Sequence, residues 1–221
     1  MIYVTGDTHG YYDEMLYRLR DIKIGEGDTL IICGDFGFVW DDVSSRIRLK
    51  HLQDEKFTIA FVDGNHENFD LLGQYPVIDW NGGKAHQVGR NIFHMMRGEC
   101  FTIEGRSFFA FGGAYSVDKP MRTEHFSWWK EEKPSKEDYD NASKTLERIG
   151  KKVDYVLTHN IPESTIIRLG KVPDVHDAEL TGYFEWLLRE LDFKRWYAGH
   201  FHVDKDIDKV SVLYDRVLPI E

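Results

Sequence analysis

Cysteine is scarce in this 221-residue chain. The two present, Cys33 and Cys100, sit in apolar strand-like runs, which favours buried thiols over a disulfide or a thiolate metal knuckle. Proline is sparse too, at six residues, and no apolar run approaches the length of a bilayer span. A folded, soluble protein with no membrane partner is expected. Positive charge is in deficit: 28 basic against 38 acidic side chains give a formal charge of −10, which disfavours binding to anionic membranes or to long nucleic acid. Met1 leads directly into Ile2-Tyr3-Val4 without a basic stretch or a small-residue cleavage site, so the cytoplasm is the expected compartment. No internal repeat, low-complexity tract or convincing linker interrupts the chain, and one domain over residues 1–221 is expected.

Against these absences stands a regular alternation of β-rich and amphipathic runs. Ile, Val and Phe concentrate at residues 2–5, 29–33, 57–62, 108–111, 153–158 and 195–198, which predicts strands there. Helix-like stretches at 12–21, 42–55, 135–149 and 177–191 lie between many of them; in the last, Leu180, Phe184, Leu187, Leu188 and Leu191 fall at helical spacing. The alternation predicts an α/β layered domain. Between residues 77 and 111, the turns Asn81-Gly82-Gly83, Gly89-Arg90-Asn91 and Glu104-Gly105-Arg106 punctuate short strand candidates, which predicts antiparallel hairpins and a second sheet.

Five of these strands end in hard or borderline metal ligands. Residues 2–5 run into Gly6-Asp7-Thr8-His9-Gly10, 29–33 into Gly34-Asp35, 57–62 into Asp63-Gly64-Asn65-His66-Glu67, 153–158 into His159, and 195–198 into Gly199-His200-Phe201-His202. Carboxyl ends of strands in an open α/β sheet meet at one crevice, which lets groups far apart in sequence converge. Asp, His and Asn together suit manganese, iron or zinc. Neighbouring glycines let the backbone turn sharply and approach a phosphate. Two ions about 3.5–4 Å apart, sharing a carboxylate and holding a hydroxide between them, would drive an in-line displacement at phosphorus.

The ordered set Asp7-Thr8-His9, Gly34-Asp35, Gly64-Asn65-His66-Glu67, His159 and Gly199-His200-Phe201-His202 resembles the motif series of the calcineurin-like metallophosphoesterases, and it spans nearly the whole chain. The resemblance implies that family's α/β fold: two packed mixed β-sheets flanked by helices, a four-layer αββα sandwich. It implies two divalent ions, Mn²⁺ first, with Fe or Zn as alternatives. Asp7, His9 and His202 would hold the first, Asn65, His159 and His200 the second, and Asp35 would bridge both. His66 would be catalytic, protonating the leaving oxygen or stabilising the phosphoryl charge. The implied activity is a phosphoric ester hydrolase acting on a phosphomonoester or phosphodiester, a nucleotide among the substrates.

One block departs from the protein Ser/Thr phosphatase pattern Gly-Asp-x-x-Asp-Arg-Gly: here Gly34-Asp35 continues as Phe36-Gly37-Phe38-Val39-Trp40. The Asp that would partner the catalytic His and the Arg that would grip phosphate are both missing. This turns the expectation toward small-molecule or nucleotide phosphoesterases, the lariat-debranching phosphodiesterases included. A noncatalytic scaffold, as in the retromer subunit that resembles these enzymes, is opposed by the presence of every ligand position and of His66. Further along, Gly112-Gly113 resembles an element of non-phosphatase members. With the basic and aromatic residues 119–130 that follow, it makes Tyr115, Arg122 and Trp128 candidates for substrate binding. The opposing readings are Trp128-Trp129 as core and Arg122 as surface charge. His51, His86, His94, His125 and His176 lack motif context and are expected to be structural.

Overall fold

Near-continuous apolar runs suit strands covered on both faces. Three such runs, Ile2–Thr5 (β1), Thr29–Cys33 (β2) and Thr58–Val62 (β3), pair in parallel at the centre of the first sheet. In this computed structural model, which describes residues 1–220, the sheet continues through the hairpins of Val77–Trp80 (β4), Gly83–Gln87 (β5) and Ile92–Met95 (β6). Of these, β6 lies parallel to β3. The second sheet holds Glu99–Ile103 (β7), Arg106–Phe111 (β8), Tyr155–Thr158 (β9), Arg195–Ala198 (β10), Lys205–Ile207 (β11) and Val210–Val212 (β12). Its strands run in the order β11-β12-β10-β9-β8-β7, with β8, β9, β10 and β12 parallel. Finally Leu218–Ile220 (β13) returns antiparallel to β1 and edges the seven-stranded first sheet.

The period-two alternation of side chains sorts these strands into three apolar layers. Ile31 and Cys33 of β2, Ala60 and Val62 of β3, Phe108 and Ala110 of β8 and Leu157 of β9 fill the space between the sheets. Leu30, Ile32, Ile59 and Phe61 turn outward instead, onto Met15 and Leu19 of Tyr12–Leu19 (α1), Leu49 and Leu52 of Val43–Asp54 (α2) and Leu72 of Phe69–Leu72 (α3). On the opposite side Phe109, Phe111, Val156 and Trp196 meet Lys136–Arg148 (α4), Glu163–Arg168 (α5) and Ala178–Glu190 (α6). The result is the expected α/β arrangement of two packed mixed sheets between helix layers.

The antiparallel hairpins and second sheet also match expectation. Helix α6 begins one residue later than predicted. The reason is that Asp177 closes the 3₁₀ turn Val175–Asp177, and its backbone, at φ −98° and ψ 5°, caps the helix instead of joining it. Cys33 is buried as predicted, but Cys100 is only half-buried, because it lies on the helix-facing side of β7, next to the sheet edge. The three-residue strands β11 to β13 were too short to show a period.

Candidate metal centre

Parallel pairing brings the carboxyl ends of β1, β2 and β3 to one edge, and that of β9 and β10 does the same in the second sheet. The loops that follow meet across the gap. Their approach is close enough that a Cβ at Gly34 would collide with the His159 ring, and one at Gly199 with Asp7 Oδ1. His9, Asp35, His200 and His202 all hold left-handed backbone, with φ of 47°, 47°, 70° and 50°, a conformation that costs non-glycine residues energy and concentrates at functional sites.

Two overlapping groups result, Asp7 with His9 and His202, and Asp7 with Asp35 and His159, the ligand atoms of each lying within 4.8 Å of one another. In the first, His9 Nε2 and His202 Nε2 stand 3.0 Å apart, and Asp7 Oδ2 is 3.0 Å from His202 Nε2. In the second, His159 Nε2 lies 3.1 Å from Asn65 Oδ1 and 3.4 Å from Asp35 Oδ1. Asp35 reaches the first group as well, its Oδ2 3.8 Å from His9 Nδ1. His200 is placed by its backbone amide, which donates to Asp7 Oδ1 at 2.9 Å, and its ring sits 4.9 Å from that of His159. Burial, with His159 nearby, pushes the His200 imidazole down to about 4, so it is neutral and able to ligate.

Donor chemistry tests whether a cation fits here. His159 Nδ1 donates to the Cys33 carbonyl at 2.9 Å, which turns the Nε2 lone pair toward Asn65 Oδ1 and Asp35 Oδ1. Three electron-rich atoms facing one buried point repel unless something positive lies between them. Without an ion that something is a proton: burial opposes the charge on His159, yet Asp35 and Asp7 outweigh it and push the imidazole up to about 10. A divalent cation would take the proton's place. Asp7, His9, Asp35, Asn65, His159 and His202 are thus brought together with a donor set that fits metal ions, and the His200 ring lies beside them, against that of His159.

Supporting groups fix these side chains. Asn65 Nδ2 donates to Ser116 Oγ at 3.1 Å, so the amide oxygen must face His159. Ser116 is fully buried and its hydroxyl lies 3.3 Å from the Asn65 carbonyl as well. Glu67 accepts from the Phe36 and Gly37 amides at 2.7 and 3.2 Å and so ties down the loop that carries Asp35. Asp63 is held by His94 Nε2 at 3.1 Å and by Arg97, whose Nε lies 2.9 Å away and whose Nη2 also donates to it. His94 is therefore structural, as expected.

Burial raises the Asp63 carboxyl, but Arg97 and His94 pull it well below the usual carboxylate range. A depressed pKa contributes stability above the unfolded value of about 3.9, lost as pH falls toward the native one. Arg97→Leu strands the buried carboxylate and should cost about 3–5 kcal/mol at pH 7. Urea unfolding at pH 7 and pH 3 should show that penalty shrinking in acid. An equal penalty at both would mean that lost packing, and not lost charge, is the cause.

His66 stands at the mouth, its ring 5.2 Å from that of His9. Neither Asp63 nor Glu67 orients it. Arg122 does: its Nη2 lies 3.0 and 3.1 Å from the two His66 ring nitrogens, and Asp118 in turn holds Arg122 at 2.7 Å. Arg122 is carried to His66 by the loop at 117–128. Burial and Arg122 lower the His66 pKa, with Asp35 acting in opposition. Of the other two substrate candidates, Tyr115 stacks on His176 at 4.5 Å, and Trp128 lies beneath Lys119 Nζ at 3.5 Å. Trp129 is core, as its opposing reading had it. Sequence reasoning passed over Tyr11, Trp40 and Tyr214, which line the site beside His9, His66 and His202. The available signal was position, since Tyr11 and Trp40 each follow a motif within a few residues.

A family model described as calcineurin-like phosphoesterase matches residues 1–204. Among solved structures, a Staphylococcus aureus protein provisionally named a 5′-nucleotidase, in complex with alpha-ketoglutarate, gives a TM-score of 0.52 at 15% identity. That superposition covers 100% of this chain and 51% of the other, so this chain spans about half the nucleotidase's length. A phosphopantetheinyl hydrolase from Mycobacterium tuberculosis gives 0.47 at 16% identity, over 96% of this chain and 87% of its own. At these identities the first likeness bears on the fold alone. No curated protein matches this sequence.

Proposed function

This chain belongs to the calcineurin-like phosphoesterase family, and we propose that it hydrolyses a phosphomonoester or phosphodiester at a centre for two divalent ions, with His66 serving the leaving group. The observation that carries this reading is the buried convergence of His159 Nε2, Asn65 Oδ1 and Asp35 Oδ1, beside the facing Nε2 atoms of His9 and His202. Asp7, His9 and His202 would hold one ion, Asn65, His159 and His200 the other, and Asp35 both. When bound, such ions lower the pKa of water and neutralise charge on a phosphoryl group.

The chain's own residues supply the rest. Arg122, held through Nη2 by Asp118 and through Nη1 by the Ser127 carbonyl, sets a positive charge beside His66 that would attract a phosphoryl group. His66 lies between that guanidinium and the metal ligands, where it can pass a proton to the departing oxygen. Glu67 and Ser116 keep Asp35 and Asn65 from swinging away. Drawing its groups from both sheets, the site supports residues 1–221 acting as one domain, and the missing Asp-Arg pair after Asp35 favours small substrates over phosphoproteins.

Purified without chelator, the protein should carry up to two ions per chain and turn over p-nitrophenyl mono- or diesters. Chelation should abolish turnover, and manganese should restore it better than magnesium, whose chemistry prefers all-oxygen ligands. Well under one ion per chain, with no turnover of esters, cyclic nucleotides or branched RNA, would favour a scaffold.

A further inference from the structure

Resting on that reading, we propose that Tyr11 and Trp40 form the pocket for the leaving group, and that the physiological substrate is a phosphate ester of an alcohol bearing a flat aromatic base, a nucleotide. The cavity that reaches the candidate ligands measures about 520 Å³, far more than a phosphate needs and within the range of small-molecule sites. His9, His66 and His202 line it together with Tyr11, Trp40 and Tyr214.

The three aromatic rings are not equivalent. Tyr214 is already in use: His202 stacks on it at 4.7 Å, and the Arg18 guanidinium sits 4.9 Å from its centroid. It is therefore a wall. Tyr11 is 53% exposed, and its ring is approached only obliquely by His9 at 6.4 Å. Trp40 is met by Trp129 in an edge-on contact at 5.5 Å. Trp129 is itself immobilised, 1% exposed, with its Nε1 donating to Asp70 at 2.8 Å. Trp40 is thus backed by a rigid support, and ring surface remains free for a ligand.

Neither the Tyr11 hydroxyl nor Trp40 Nε1 has a hydrogen-bond partner among the described residues. Each offers an apolar face with a free polar tip, which suits a heterocycle better than an alkyl chain or a sugar alone. Base-on-aromatic stacking tolerates any base, so the pocket selects for the presence of a base and not for its identity. The same cavity thus holds His66, assigned to the leaving oxygen, and the Tyr11 and Trp40 rings that would take the base of the departing nucleoside.

A matched pair of substrates isolates this contribution. Adenosine 5′-monophosphate and ribose 5-phosphate present the same leaving oxygen and differ in the base. With manganese, wild-type kcat/KM should favour the nucleotide by about tenfold or more. Trp40→Leu should bring that ratio close to one, and Tyr11→Leu should reduce it in the same direction. Calorimetric binding of the phosphorothioate analogues of both compounds supplies a second readout that needs no turnover, and melting curves establish that the variants are folded. No preference in the wild type by either readout, or a preference unchanged in folded Trp40→Leu, overturns the proposal. Absence of turnover for every ester would instead count against the enzymatic reading, while the binding ratio still decides the pocket.

Discussion

Protein carrying Asp35→Asn is expected to lose both ions and at least about 10³-fold in turnover, whereas Asp7→Asn should keep close to one ion per chain. Asp35 lies 3.4 Å from His159 Nε2 and 3.8 Å from His9 Nδ1, in reach of both ligand groups. Losing a shared anion removes several kcal/mol of charge stabilisation, and each 1.36 kcal/mol is a factor of ten. The amide is nearly isosteric, and its Oδ1 can still accept from the His66 amide, a bond of 2.8 Å in the native protein. The fold should therefore survive, as a melting temperature would confirm. Asp7 approaches His159 only through Nδ1, at 3.8 Å, a nitrogen already committed to the Cys33 carbonyl. That is why its loss should empty one position only. Metal analysis of the two variants decides between them: one ion left in Asp35→Asn and none in Asp7→Asn would move the bridge to Asp7, the residue both groups share.

The second large effect is expected at His66. His66→Gln should cost about 10²–10⁴-fold in kcat, the usual worth of a positioned proton donor, with both ions retained. An alkyl ester needs its leaving oxygen protonated more than p-nitrophenol does, so the loss should be larger for the alkyl substrate. Equal losses on the two would assign His66 to charge stabilisation alone. Burial and Arg122 both lower the His66 pKa from 6.5, overcoming Asp35, and bound cations would act in the same direction. Protonated His66 therefore disappears as pH rises through a value below 6.5, and the descending limb of the wild-type profile should lie there and be missing from the glutamine variant.

Much of this was legible because the central strands are buried on both faces. A strand such as Thr29–Cys33 must be apolar throughout, so Gly34-Asp35 after it stands out as a polar interruption. The same contrast exposes Asp7, Asn65, His159 and His200. Convergence of Arg122 on His66 was not legible, since the loop around it has no period and is held by single contacts such as Asp118 to Arg122 and Asp70 to His125 and Trp129. The pairing of Ser116 with Asn65 was out of reach for the same reason: it joins residues 51 apart through one buried hydroxyl. The residues after Asp35 were read there mainly for the Asp and Arg they lack, yet Trp40 among them lines the site.

Left-handed backbone at His9, Asp35, His200 and His202 bears on how this protein can change over generations. Each of these side chains holds the main chain where glycine or asparagine would be more comfortable by about 1 kcal/mol or more. A lineage released from its substrate, or a laboratory selection for heat resistance alone, would meet a gradient at these four positions toward glycine, which offers no ligand, or asparagine, which offers only a neutral one. The chemistry would then erode first at the places where the fold has most to gain, so histidine and aspartate persisting there are a sign of continuing use.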